Sequence, residues 1–145
     1  AVISLHACDI ATDLALGTAI RAKAKYIACV PCCHKELLDQ YTMPGLEPLT
    51  KFGVFKARFN DVLTDSMRAL KLEAEGYKVS VVEYISPLDT PKNLLIRATR
   101  TGKVNNRAKA EYDAVRRTLG TTSELDRRCA ELDNEFFVTD EDLMG

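Results

Sequence analysis

Two short segments gather the residue types that do chemistry. The first is His6-Ala7-Cys8-Asp9, running on to Thr12 and Asp13; the second is Pro31-Cys32-Cys33-His34. Imidazoles move protons, carboxylates take protons or steady a cation, and thiols attack carbon or bind soft metals. Three kinds of site are therefore open. Zinc is one, because Cys29 and Cys32 have Cys-x2-Cys spacing and His6, Cys8, Cys33 and His34 offer further ligands. Against it, Cys29 falls inside an apolar run, Cys32 lies beyond Pro31, and there is no second Cys-x2-Cys pair. No metal ligand is assigned on this basis. A nucleophilic cysteine, with His6 or His34 activating Cys8 or Cys32, is the second reading. The third is a pocket wall of unreactive thiols, and Cys29 and Cys129 read as buried. Asp9 stands where a helix N-cap should be, its carboxylate able to accept first-turn N–H groups. Asp13, early in the same helix, is placed to favour the helix dipole.

The elements that must position these residues follow from periodicity. Ala1–Leu5 is a nearly continuous apolar run, as expected of a parallel strand covered on both faces. Ile10, Leu14 and the Ala11/Ala15/Ala19 column predict a helix to about Lys25. Gly17 costs that helix about 1 kcal/mol relative to alanine, which implies close packing or simple tolerance. Tyr26–Val30 is a second strand, and residues 39–50 read as a loop. Apolar residues from Phe55 to Ala74 at three- and four-residue spacings predict a long helix over Gly53–Glu75, with Gly76 closing it. Two strands follow, Lys78–Ile85 and Asn93–Thr99. Their link is too short for a crossover helix, so they should be antiparallel neighbours. The first three strands should be parallel and the last reversed. A helix over Val104–Leu119, ended by Gly120, precedes another to about Leu132 with Thr121, Thr122 or Ser123 as its cap.

The fold class expected is α/β: a partial Rossmann-like sheet of three parallel strands plus a final antiparallel one, with helices on both faces. Both clusters then stand at the carboxyl ends of consecutive parallel strands, where ligands bind in open α/β sheets. Residues 1–101 form this unit, and 102–145 a helical extension with segregated charge. Basic Arg97, Arg100, Lys103, Arg107, Lys109, Arg116 and Arg117 precede an acidic stretch ending in Asp140, Glu141 and Asp142. With 20 basic and 21 acidic residues, the net charge of -1 hides this asymmetry. The run is read as a solvated face or as a contact for RNA, phosphate or another subunit. No apolar run is long enough for a transmembrane helix, and no membrane partner is expected. Five cysteines without regular spacing are a poor disulfide framework and point to a reducing, cytoplasmic compartment. A chain of 145 residues suffices for one core. Its opening on Ala1, directly in a strand, is read as the mark of a fragment.

The segments LHACDIATDLAL and PCCH, followed in order by TDSMRALKLEAEGY and ISPLDTPKNLLIRA, resemble a group of Rossmann-like methyltransferases. The group includes bacterial proteins of unassigned substrate and resembles the tRNA 2'-O-methyltransferases of the acceptor stem. The resemblance covers roughly residues 1 to 100 and implies S-adenosylmethionine as cofactor. It makes this chain the fourth to seventh strands of a seven-stranded sheet, without the Gly-rich cofactor loop; no Gly-x-Gly-x-Gly occurs here. It sets His6, Cys8 and Asp9 facing the transferred methyl group, Thr12 and Asp13 at the start of the next helix, and Pro31, Cys32, Cys33 and His34 along the acceptor pocket. His6, Asp9 and His34 are then the catalytic candidates, Cys8 and Asp13 the cofactor contacts, and Pro31, Cys32 and Cys33 the substrate wall. Asp9 replaces the glycine usual in the tRNA-modifying relatives. RNA is the acceptor class suggested, and a second copy or a missing N-terminal half the partner. A non-catalytic Rossmann-like interaction module and a zinc-binding α/β protein are the alternatives.

Overall fold

The computed structural model describes residues 1–86, 88–89 and 92–135. Strand β1 (Val2–Leu5) pairs in parallel with β2 (Tyr26–Val30), Val2 opposite Ile27 and Leu5 opposite Val30. Between them runs α1 (Ile10–Arg21), shorter than the apolar column suggested. It ends early because Lys23 takes a positive φ of 50°, closing the helix before Lys25. The expected loop contains a single 3-10 turn, Glu47–Thr50. Helix α2 (Gly53–Ala74) ends ahead of Gly76, whose φ is +88°. A Cβ there would lie 2.8 Å from the carbonyl oxygen of Lys103, so both the turn and the neighbouring chain require glycine.

Strands β3 (Tyr77–Glu83) and β4 (Leu94–Arg100) are antiparallel neighbours, as the short link dictates. β4 is also antiparallel to β2, giving a four-stranded order β1-β2-β4-β3. Three strands thus share one direction, and the last, reversed, lies between β2 and β3. Helix α3 (Asn106–Leu119) begins at Asn105, whose side chain accepts the Ala108 N–H. Helix α4 (Glu124–Glu135) begins at Ser123. Ser123 and Asp126 exchange hydrogen bonds: the Asp126 N–H donates to Ser123 Oγ at 3.1 Å and the Ser123 N–H to Asp126 Oδ2 at 2.8 Å. This is a capping box with aspartate in the reciprocal position. Of the expected acidic tail, residues 136–145 lie outside the described residues.

Side chains alternate along a strand, so Val2, Ser4, Ile27, Cys29, Ile96 and Ala98 share one face. That face is packed by Leu16, Ala19 and Ile20 of α1, Leu72 of α2, and Leu125 and Cys129 of α4. A buried aliphatic side chain here contributes about 1.5–3 kcal/mol. α1 and α4 approach closely at Gly17, where a Cβ would stand 2.9 Å from Arg128 Cβ. The helical weakness of Gly17 therefore has a packing reason. α3 rests on α2 through Tyr112 and Leu119 against Met67 and Ala74. The other face is open: Ile3 is 69% exposed, Leu5 63% and Tyr26 49%. The expectation of helices on both faces is corrected, since the helices among the described residues stack on one side. An apolar run on both sides of β1 needs two covers, and these residues supply one.

Candidate functional site

The parallel pairing of β1 and β2 brings the two predicted clusters together. Beyond the strands, Cys8 and Cys33 form an isolated parallel bridge, and the His6 N–H donates to the Val30 carbonyl at 3.0 Å. The connection is strained: His6 and Asp9 have φ of 51° and 46°, and the ψ of -117° at Asp9 also takes it out of the left-handed helical region that aspartate tolerates. The strain is held by contacts across the crevice. Asp9 Oδ1 accepts the N–H groups of Lys35 at 3.0 Å and Glu36 at 3.1 Å, and the Thr12 hydroxyl donates to the Ala7 carbonyl at 2.8 Å. Asp9 therefore occupies the N-cap position of α1 without capping it. With φ 46° and ψ -117° it lacks the extended backbone of a capping residue, and its carboxylate ties one cluster to the other instead.

Three thiols meet at this point. Cys8 Sγ lies 3.4 Å from Cys33 Sγ and 3.6 Å from Cys32 Sγ, and the last two are 3.7 Å apart. Cys8 is exposed, and Cys32 and Cys33 are half-buried. Desolvation and the neighbouring Cys8 and Cys33 thiols push the Cys32 thiol up to about 11. Cys29 is elsewhere: it faces the packed side of the sheet, and burial pushes its thiol up to about 12. The Cys-x2-Cys pair visible in the sequence does not converge. His6 is exposed and Pro31 fully buried.

Beneath the thiols lies a buried charge network that the sequence reading missed. Arg68 of α2 donates through Nε to Asp13 Oδ1 at 2.7 Å, through Nη1 to Asp65 Oδ1 at 3.1 Å and through Nη2 to the Asp9 carbonyl at 2.9 Å. Arg68 is 3% exposed and Asp13 2%. Burial works against the Arg68 charge, but Asp13 and Asp65 outweigh it and hold the guanidinium above its usual range. Asp13 Oδ2 also accepts the Leu125 N–H at 3.3 Å, in the first turn of α4. Asp13 thus supports the dipole of α4, not only that of its own helix. His34 is 7% exposed, with Nε2 2.8 Å from Asp65 Oδ1 and Nδ1 3.1 Å from Lys92 Nζ and 3.4 Å from Asp61 Oδ1. The Asn60 amide donates to the His34 carbonyl at 2.8 Å. Both ring nitrogens of His34 are engaged, so the ring is fixed in orientation.

Asp61, Asp65 and Arg68 stand at i, i+4 and i+7 of α2, a polar stripe beside the apolar one. That spacing was the available signal. It reads as a solvated face until a partner surface is known, yet Asn60, Thr64, Asp65 and Arg68 are all buried. Chemically, the site offers a partly exposed carboxylate, a cluster of soft sulfur ligands and a rigid charged floor.

Residues 1–40, which carry both strand ends, match the sequence model of a methyltransferase domain. The glutathione S-transferase C-terminal domain-containing proteins of Homo sapiens and Macaca fascicularis are 28% identical to this chain over 119 residues, covering 65% of it and 19% of their own length. The Drosophila melanogaster homolog is 28% identical over 122 residues, covering 64% of this chain and 21% of its own. The chain thus spans about a fifth of the length of these relatives. No solved structure matches. No helix among the described residues is long and apolar enough to cross a membrane. The segment in which the thiols, Asp9 and His34 converge is similar to part of a methyltransferase domain.

Proposed function

We propose that this chain is the C-terminal half of a Rossmann-like, S-adenosylmethionine-dependent methyltransferase domain and that its acceptor is RNA. The main support is a coincidence: the methyltransferase-domain match at residues 1–40 is where the two strand ends converge, Cys8 and Cys33 Sγ being 3.4 Å apart. Three strands in one direction with a reversed last strand agree with that fold. The half-domain reading draws on the open apolar face and on the position of β1 at the sheet edge.

The residues present fit one side of the cofactor. Exposed Cys8 and half-buried Asp9 border the end of β1, while a Gly-rich loop would come from another segment. S-adenosylmethionine supplies, when bound, a methyl group on a sulfonium sulfur. Asp9 takes the proton lost by a hydroxyl acceptor as its oxygen is methylated. His6, exposed beside it, orients that acceptor. Cys32 and Cys33 form the wall, fully buried Pro31 backs it from behind, and His34 keeps it in place through Asp65 and Asn60. Asp13 acts indirectly, by fixing Arg68 against the Asp9 carbonyl. Arg107, Arg116 and Arg117 of α3, together with Arg97, Arg100, Lys103 and Lys109, would hold phosphates by salt-dependent attraction.

Calorimetric titration of S-adenosylmethionine tests this reading. Micromolar binding by the full-length protein and none by this chain alone is expected. Binding by neither supports the other reading, a non-catalytic interaction module, which the missing Gly-x-Gly-x-Gly favours. RNA affinity should fall steeply with salt and fall again in the Arg107→Ala, Arg116→Ala, Arg117→Ala triple variant. Equal RNA binding by wild type and triple variant at every salt concentration would end the RNA assignment.

A further inference from the structure

We propose that Cys8, Cys32 and Cys33 form a three-thiolate zinc site with an open fourth position. The three sulfurs lie 3.4, 3.6 and 3.7 Å from one another, in one triangle. Tetrahedral zinc with Zn–S bonds of about 2.3 Å separates its sulfurs by about 3.8 Å, so binding needs each pair to spread by only a few tenths of an ångström. Among the described residues, these three are the group of side chains with metal-ligand atoms this close together.

The backbone, not the thiols themselves, holds this arrangement. Cys8 and Cys33 are locked side by side by their bridge and by the His6-to-Val30 hydrogen bond. The two N–H bonds to Asp9 Oδ1 fasten the segment after Cys33 to the segment after Cys8. Preorganisation of this kind lowers the ordering cost of binding. Neutral thiols gain little from such crowding. A soft divalent cation turns it into three strong bonds, and thiolate ligands select zinc over hard cations such as magnesium or calcium.

Among the described residues, only these three ligands converge. Cys29 is buried on the packed face of the sheet, and His34 is turned to Asp65 and Lys92. The fourth position therefore belongs to water or to an incoming thiol or oxygen ligand, reached from solvent through exposed Cys8. Three protein ligands and one exchangeable one is the pattern of a reactive zinc site rather than a closed structural one. The site requires no methyl transfer, because metal binding alone can be measured.

The full-length protein, purified under reductant and without chelator, should carry zinc. Replacement by cobalt should give thiolate-to-cobalt charge-transfer absorption and the intense visible bands of a tetrahedral ion. Cys8→Ser, the least disruptive change because Cys8 is exposed, should lower metal affinity by more than the roughly 10–100-fold cost of losing an outer partner. Cys8→Ser with Cys33→Ser should lose one whole equivalent, while Cys129→Ser should keep it. Circular dichroism separates this from unfolding: the double variant should keep its helical signal and lose only the metal-dependent rise in Tm. Equal zinc content in wild type and double variant, or a Cys8–Cys33 disulfide under those reducing conditions with no bound metal, would overturn the site.

Discussion

Arg68 ties three groups together. It joins α1 to α2 through Asp13, reaches Asp65 on its own helix, and supports the strained Asp9 backbone. A buried ion pair adds little net stability compared with apolar packing, but removing one partner strands the other. Arg68→Ala should therefore cost about 3–5 kcal/mol, read from urea unfolding, because two buried carboxylates lose their counter-charge. Neutralising them as well, with Asp13→Asn and Asp65→Asn, should recover part of that loss. A loss below about 1 kcal/mol in the single variant would mean that the carboxylates escape to water, as surface pairs do. The same reasoning separates His34 from His6. One is fixed inside this network, and the other is exposed beside the thiols.

At the scale of elements, the first turn of α4 carries both a cluster of charges within the helix and a tie to α1. Glu124 accepts from Arg127 Nε at 2.9 Å and from Arg128 Nε at 3.0 Å, in the turn where Asp13 receives the Leu125 N–H. The Arg127 hydrogen bond, with Arg127 and Arg128 charge behind it, holds the Glu124 carboxyl below its ordinary 4.5 in spite of partial burial. A depressed folded-state value means stability that is present above 4.5 and lost as pH falls through the folded value. Glu124→Gln should thus lower stability at neutral pH and make no difference in strong acid. The partners are 49% and 43% exposed, so solvent screening limits the effect to below about 1 kcal/mol. Urea midpoints of both proteins at neutral and strongly acidic pH check this, and a gap that widens on acidification would reverse the sign assigned to Glu124.

At the scale of the molecule, the open sheet face dominates. Ile3, Leu5 and Tyr26 are exposed on it, and Ile3 and Tyr26 line, with Ala28, Arg97 and Thr99, an open groove of about 270 Å³. β1 is also an edge strand, with unpaired backbone groups beside apolar side chains. In isolation, this chain should self-associate with rising concentration. Ile3→Lys with Leu5→Lys should restore a monomer, seen by light scattering after gel filtration, with little change in unfolding midpoint because neither side chain is in the core. A wild-type chain that stays monomeric at high concentration, without binding a hydrophobic dye, would argue against an interface on this face.

Local rules decided much of this molecule. Apolar runs bounded by Pro31, Gly76 and Gly120 determined the order of strands and helices, and the short link after Glu83 determined the antiparallel pair. Parallel neighbours with polar residues at their carboxyl ends were enough to bring the two clusters to one crevice. The tertiary structure decided which chemistry those residues share. Cys29 and Cys32, close in sequence, are separated because strand side chains alternate and Pro31 ends the strand. Cys8 and Cys33, 25 residues apart, meet through backbone pairing. Asp9 looked like a helix cap, but its positive φ sends its carboxylate across the crevice. The spacing of Asp61, Asp65 and Arg68 gave no sign of burial, because helical spacing records which residues share a face and not what that face meets. The expectation that β1 is covered on both faces likewise failed among the described residues, since an apolar run states the need for burial and only packing supplies the partner.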